Sequence, residues 1–402
     1  MTFAATATSR WSLLASLWSV YASFGLVAGS LAPLLERVRL DLGMSRAAIG
    51  AALGAWPFVY LFVAIRAGRI LDRVGVRWGL VVGVAAIAAS AVARSLAQGP
   101  VTLWLAVAVF GIGGPFVSIG APKLVAEAFD EAERGRAVGI YSTAAPLGTA
   151  LALVLAGPLN EATDSWRWVM VVFGGLSIAA GAGWLVVSRA AGLGPTSAGG
   201  SADPSLDLLA DRTVRWVMVL AVGSFFVAHS LGGWMPEMLR TSGWSETGAA
   251  WLVAAGVLCG LVGSVVVPPL AHGRRRGPVL VLVLLVIALA VWPLLGEVRV
   301  AHVAVTLLLG VARVLLVPLS MLLLMSAPAV DAKRMGAAGG LFFTAGEIGG
   351  VSGPWITGVT RDLADDFRWS CLTLSIVAVG LTIAARQATR SESARAEIDA
   401  AT

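Results

Sequence analysis

Three titratable or charged side chains fall deep inside long apolar runs of this 402-residue chain: His229, Arg313 and Glu347. A charge at the centre of a bilayer costs about 2.5–3.5 kcal/mol on insertion scales, so such a group faces a cavity, a ligand or a partner. Arg313 sits near the middle of the run 301–326 and Glu347 near the middle of 337–360, at matching depths. Two readings of these residue types stand side by side. In one, Arg313 and Glu347 form a permanent pair tying neighbouring helices together, with His229 hydrogen-bonded. In the other, Arg313 fixes an anionic or strongly polar solute. Glu347 then takes up and releases a coupling proton, since burial and nearby cations set a carboxyl's proton affinity. Aromatic residues accompany the three: Trp18 with Tyr21, Trp56 with Tyr60 one helical turn on, and Tyr141 with Thr143. Half-polar rings at mid-depth suit an amphipathic or planar solute; for Trp56, plain packing is an equal reading.

The elements that carry these residues are membrane helices. Hydrophobic residues make up 58% of the chain and charged ones 13%, against roughly a quarter charged in soluble domains. Apolar runs of about 20 residues, enough to cross a hydrocarbon core of ~30 Å, recur. They are placed at 11–31, 47–66, 79–97, 101–122, 137–159, 169–189, 213–235, 248–270, 279–296, 301–326, 337–360 and 369–386. This predicts an all-α membrane protein of twelve transmembrane helices. With a cytoplasmic N-terminus, the inner loops and tails hold 19 of the 29 Lys and Arg and the outer loops 9, the remaining one being Arg313. That bias orients the chain with both termini cytoplasmic. The net charge of +6 is thereby a matter of topology, and nucleic acid is not expected as a partner. A cell (inner, cytoplasmic) membrane location follows, with the lipid bilayer as the surroundings. Arg10 before an apolar run imitates a signal peptide, but the run is too long for an ordinary one and eleven more follow.

The chain matches itself at an offset of 201 residues. Asp164, Arg167 and Trp168 fall on Asp365, Arg368 and Trp369. Gly135, Gly139, Thr143, Gly148 and Gly157 fall on Gly336, Gly340, Thr344, Gly349 and Gly358. Ser23, Phe24, Glu36 and Arg39 fall on Ser224, Phe225, Glu237 and Arg240. The expected organisation is an N-terminal six-helix bundle at 1–189, a Gly/Ser/Pro-rich flexible linker at 190–212, a C-terminal six-helix bundle at 213–386, and a tail at 387–402. Duplicated membrane halves commonly hold a solute site at their interface and rock around it. The same offset sets His229, Arg313 and Glu347 opposite Ala28, Ile112 and Pro146, so the second copy is ionisable where the first is apolar.

Between the second and third runs stands Gly68-Arg69-Ile70-Leu71-Asp72-Arg73-Val74-Gly75-Val76-Arg77. The glycines permit a tight turn, and Asp72 is an anion able to cap a helix N-terminus or pair with arginine. Here the chain resembles the major facilitator superfamily, whose loop signature is met at Gly68, Asp72, Arg73, Gly75 and Arg77; Trp78 replaces the last basic residue. The resemblance implies a gating role for this motif, with Asp72 holding the outward-open state by meeting the start of helix 11 at Gly336–Gly340. The second copy has His272-Gly273-Arg274 there, without a carboxylate, so the latch is lopsided. The segment Pro122–Phe129 followed by Glu133–Gly139 resembles the loop between helices 4 and 5 of cyanate, nitroimidazole and nitrate/nitrite permeases. The antiporter glycine signature of helix 5 is mostly absent, its places held by Tyr141, Ala145, Thr149 and Ala150. In helix 11, Gly353-Pro354 makes a kink that reads as packing rather than gating.

The function expected from these features is a secondary active transporter moving a small polar or anionic solute by alternating access, with proton symport. Its partners are the small-molecule substrate, the proton and lipid, and a monomer is expected. A multidrug/proton antiporter is the nearest alternative, though it predicts a carboxylate deep in helix 1 or 4. A transport-inactive membrane sensor of the same fold is an alternative of another class. No enzyme, cofactor or metal site is expected. His229, His272 and His302 are scattered, Cys259 and Cys371 read as small apolar residues, and no phosphate-binding glycine loop occurs.

Overall fold

A computed structural model describes residues 7–192, 206–271, 275–330, 334–364 and 366–399, without the side chains of residues 7–9, 65, 72, 131, 132, 135, 268, 269, 336 and 390–399. The described residues form helices and no strand. In chain order these are α1 (Ala7–Gly29), α2 (Leu35–Asp41), α3 (Arg46–Leu53), α4 (Ala55–Ser95), α5 (Pro100–Ala128), α6 (Glu131–Ser142), α7 (Ala144–Thr163) and α8 (Trp166–Ala190). They continue with α9 (Arg212–Thr241), α10 (Glu246–Leu270), α11 (Arg276–Ala290), α12 (Arg299–Met325), α13 (Met335–Ala364) and α14 (Arg368–Asp399).

Eleven helical stretches among the described residues are long and apolar enough to cross a membrane. The predicted run 337–360, now within α13, is not among them. Its many glycines, Pro354 and Glu347 dilute the mean hydropathy without interrupting the helix. α4 carries most of the predicted runs 47–66 and 79–97, one on each side of a kink. Its helical backbone is interrupted only at Gly75, whose φ of 79° lies in the region open to glycine, so the loop motif bends there.

Leu206–Ala210 forms a 3₁₀ turn with Leu208 fully buried, and Asp211 Oδ1 accepts from Val214 N at 3.0 Å to start α9. Acidic and small hydroxyl side chains at such positions satisfy the free N–H groups of a first turn. Residues 193–205 lie outside the described set.

The chain divides into two compact units: Met1–Met44 with Ala55–Ser201, and Ser45–Gly54 with Ala202–Thr402. In the second unit α3 packs on α13, although the two are far apart in sequence. Asp362 near the end of α13 accepts from Arg46 N at 3.0 Å and Ala47 N at 2.7 Å, capping α3, while Ser45 Oγ accepts from Ala48 N at 3.0 Å.

The duplicated residues do the same work in each unit. Arg39 grips Glu36 with two hydrogen bonds, at 2.8 and 2.7 Å, and Arg240 grips Glu237 with two at 2.7 Å. Gly148 of α7 lies directly on the Ala22 carbonyl of α1, and Gly349 of α13 lies on the Val222 carbonyl of α9. A methyl group at either glycine would run into that carbonyl, so glycine is what lets each pair of backbones meet. In the first unit Arg94 is also fully enclosed, donating to Val27 O at 2.7 Å and Ser30 Oγ at 2.9 Å at the end of α1. It satisfies acceptors that the last turn of a helix leaves free.

Candidate functional site

The aromatic residues of the first unit come together. Trp18 of α1 donates Nε1–H to Thr143 Oγ1 at the α6–α7 junction at 3.0 Å. One turn along α1, Tyr21 stacks on Tyr141 with ring centroids 6.0 Å apart and lies edge-on to Phe24 at 5.6 Å. Phe24 meets Trp56 at 6.3 Å, and Trp56 meets Tyr60 at 6.3 Å. The Tyr60 hydroxyl is 2.8 Å from Ser118 Oγ of α5. Edge-to-face pairs at these separations add about 0.5–1.5 kcal/mol each beyond area burial. The result is a continuous wall drawn from α1, α4, α5 and the α6–α7 junction, with polar atoms at intervals along it.

Phe110 and Ser118 of α5 belong to this wall without having been expected there. Phe110 is fully buried, 4.9 Å from Phe24 and 5.4 Å from Trp56. Its only trace in the sequence is an aromatic residue in an otherwise small-residue run, which fits packing equally well.

The ionisable residues of the second unit do not form the expected pair. Arg313 of α12 is half-buried and turns to α9, where Nη1 donates to Ala228 O at a long 3.4 Å. Gly232, one turn along α9, makes room for it: a methyl on Gly232 would stand 2.9 Å from Arg313 Nη1. No ion pair joins Arg313 to Glu347 or to any other carboxylate among the described residues. Its remaining N–H donors have no partner among the described residues. Glu347 of α13 is 3% exposed, and its Oε2 has no hydrogen-bond partner among the described residues.

His229 follows Ala228 on α9. Its Nδ1 is 3.0 Å from Phe225 O and, facing a carbonyl, is the donor. The imidazole stacks on the Phe225 ring at 5.7 Å, and that ring meets Phe342 at 6.1 Å and Phe343 at 6.0 Å on α13. Gly346, next to Glu347, lies against the same ring. Phe225 therefore joins the segment bearing His229 to the segment bearing Glu347. Chemically the second unit offers a cation with unused donors and a carboxyl with an unused oxygen, enclosed by apolar helices.

Gly68, Asp72, Arg73, Gly75 and Arg77 of the loop motif lie on α4 around its bend. Trp184 Nε1 of α8 donates to Arg77 O at 3.0 Å, tying the bend to α8. The side chain of Asp72 lies outside the described residues, as do His272–Arg274 of the second copy. At Gly353-Pro354, Trp234 Nε1 of α9 donates to Pro354 O at 3.0 Å. No group of three or more His, Cys, Asp or Glu among the described residues is arranged to hold a metal ion.

Comparison with known proteins accounts for this architecture. The puromycin resistance protein pur8 of Streptomyces alboniger is 32% identical over 139 residues, 34% of this chain and 27% of that protein. The D-galactonate transporter of Escherichia coli O6:H1 is 28% identical over 152 residues, 37% of this chain and 34% of that protein. The chain thus spans about a quarter to a third of the length of these relatives. A bacterial homologue of the human lysosomal transporter Spinster, solved inward-facing and occupied, superposes with a TM-score of 0.78 at 17% identity, covering 96% of this chain and 98% of that one. The profile of the Major Facilitator Superfamily matches residues 17–354, and the chain is a member of that superfamily, a multi-pass membrane transporter.

Proposed function

We propose that this transporter carries a small polar or anionic solute, drives it by proton symport, and works by alternating access. The observation that carries the proposal is Arg313, a guanidinium held among apolar helices with one long hydrogen bond and no carboxylate partner among the described residues. Retaining such a cation is costly unless an anion completes it. Glu347, buried with an oxygen unpartnered among the described residues, is the group assigned to the coupling proton, and His229, held by Phe225 O, is assigned to the same site. Trp18, Tyr21, Trp56, Tyr60, Tyr141 and Thr143 of the first unit are also assigned as solute-binding residues. Twelve spans in two six-helix bundles at 1–189 and 213–386, cytoplasmic termini, a cytoplasmic-membrane location and a monomeric state complete the reading. Kinship with a D-galactonate transporter favours an organic anion.

The second reading is efflux of a planar drug against protons. Kinship with a puromycin resistance protein and the aromatic wall favour it. Proteoliposome flux separates the two. With an imposed pH gradient, acid outside, the proposal predicts accumulation of a sugar-acid or monocarboxylate anion. Arg313→Lys and Glu347→Gln should abolish or uncouple that flux while each variant still reaches the membrane. Normal, gradient-driven flux by both variants would sink the proposal.

A further inference from the structure

We propose that the end of the second unit where α9 and α11 begin binds an anionic phospholipid in a groove between α11 and α14. The groove encloses about 580 Å³ and is lined by Gly277, Pro278, Val281, Leu282, Leu285, Arg386 and Thr389. Its wall is apolar and open to the surroundings, with Leu282 62% exposed and Leu285 40% exposed.

Among the described residues, the charge sits at one end. Arg386 is exposed, and its guanidinium has no hydrogen-bond or ion-pair partner among the described residues. Arg275 and Arg276 stand immediately before Gly277, at the start of α11. Counting along α14 from Arg368, Arg386 lies about 27 Å further on at 1.5 Å per residue, close to the ~30 Å of a hydrocarbon core. Arg386 and the start of α11 are therefore at one membrane boundary, and the leucine wall runs from them into the apolar layer. An anion with a long hydrocarbon chain matches both parts at once.

A second basic patch adjoins it. Arg212 of α9 donates to Gln387 Oε1, next to Arg386, at 3.0 Å. Arg212 and Arg215, with Trp216 and Val219 below them, line a further hollow of about 320 Å³. Basic residues over apolar walls with an interfacial tryptophan are how helix surfaces recognise anionic headgroups. The groove is assigned one phospholipid, its phosphate on Arg386 and an acyl chain along Val281, Leu282 and Leu285.

The test is native mass spectrometry of the purified full-length protein after exchange into micelles containing phosphatidylglycerol or phosphatidylcholine. The expected result is selective retention of phosphatidylglycerol, reduced about fivefold in Arg386→Gln. Leu282→Trp, which fills the groove from the exposed side, should reduce it as well, whereas Arg368→Gln at the other end of α14 should not. Glycerophosphoglycerol, the headgroup without chains, should fail to compete. Equal retention of the two lipids, unchanged retention in both Arg386→Gln and Leu282→Trp, or an equal loss in Arg368→Gln would overturn the proposal. So would competition by the chain-free headgroup, which would mark a phosphate site without a lipid groove.

Discussion

Gly232→Ala separates a functional Arg313 from a structural one, because the two roles predict opposite signs. The added methyl would stand 2.9 Å from Arg313 Nη1, where an ordinary carbon–nitrogen contact needs roughly half an ångström more. The flexible guanidinium will swing away rather than let the helices part. Alanine in the interior of a helix is favoured over glycine by about 0.5–1 kcal/mol. Thermal stability of the variant should therefore be unchanged or slightly raised. Anion recognition should suffer, because a displaced guanidinium loses a charge-assisted hydrogen bond worth about 1.5–3 kcal/mol. At 1.4 kcal/mol per tenfold, that is about a ten- to hundredfold rise in the half-saturating solute concentration. The assay is concentration-dependent uptake into proteoliposomes, beside a melting curve of the same preparation. Unaltered half-saturation with Gly232→Ala, or a loss of uptake that tracks a fall in melting temperature, would refute the reasoning.

Three further outcomes follow from other contacts. Glu347→Gln keeps the shape of the side chain and removes the exchangeable proton; solute exchange between equal compartments should persist while gradient-driven accumulation stops, and retained accumulation would clear Glu347 of the coupling role. Asp362→Ala leaves Arg46 N and Ala47 N without their acceptor, which should cost about 1 kcal/mol and speed hydrogen exchange at the α3 amides, whereas unchanged exchange would show that α3 is held by packing alone. Gly349→Ala forces a methyl onto the Val222 carbonyl and should destabilise by about 1–3 kcal/mol. Gly340→Ala, where the added methyl meets open space, should not, and equal effects would contradict the close approach of α13 and α9.

Much of the fold is readable in the chain because lipid leaves few alternatives: a backbone crossing hydrocarbon must satisfy its own hydrogen bonds. The 201-residue repeat was informative for the same reason, since Glu36–Arg39 and Glu237–Arg240 adopt one geometry in two places. The run 337–360 is legible as a helix even though glycines needed for close contact and one carboxyl lower its mean hydropathy. The capping of α3 by Asp362 was invisible, because nothing local in either segment announces a partner more than 300 residues away. At the candidate site, the aromatic and ionisable residues stand out by type, since half-polar rings and charges are conspicuous in apolar runs. Phe110 was not, being chemically ordinary in its surroundings. Whether Arg313 would meet Glu347 was also beyond sequence, since helix rotation decides it: matching depth puts two residues at one level and leaves their facing open.

The central claim is that Arg313 is an anion's partner, and ligand-induced thermal stabilisation of the wild-type protein and Arg313→Ala, side by side, tests it most directly. The compounds are small inorganic anions, monocarboxylates, nitroaromatics and planar organic cations. The account predicts that an anion raises the melting temperature of the wild type and leaves Arg313→Ala unmoved, with both proteins equally stable in its absence. Stabilisation by cations alone, or by an anion to the same extent in Arg313→Ala, would contradict it.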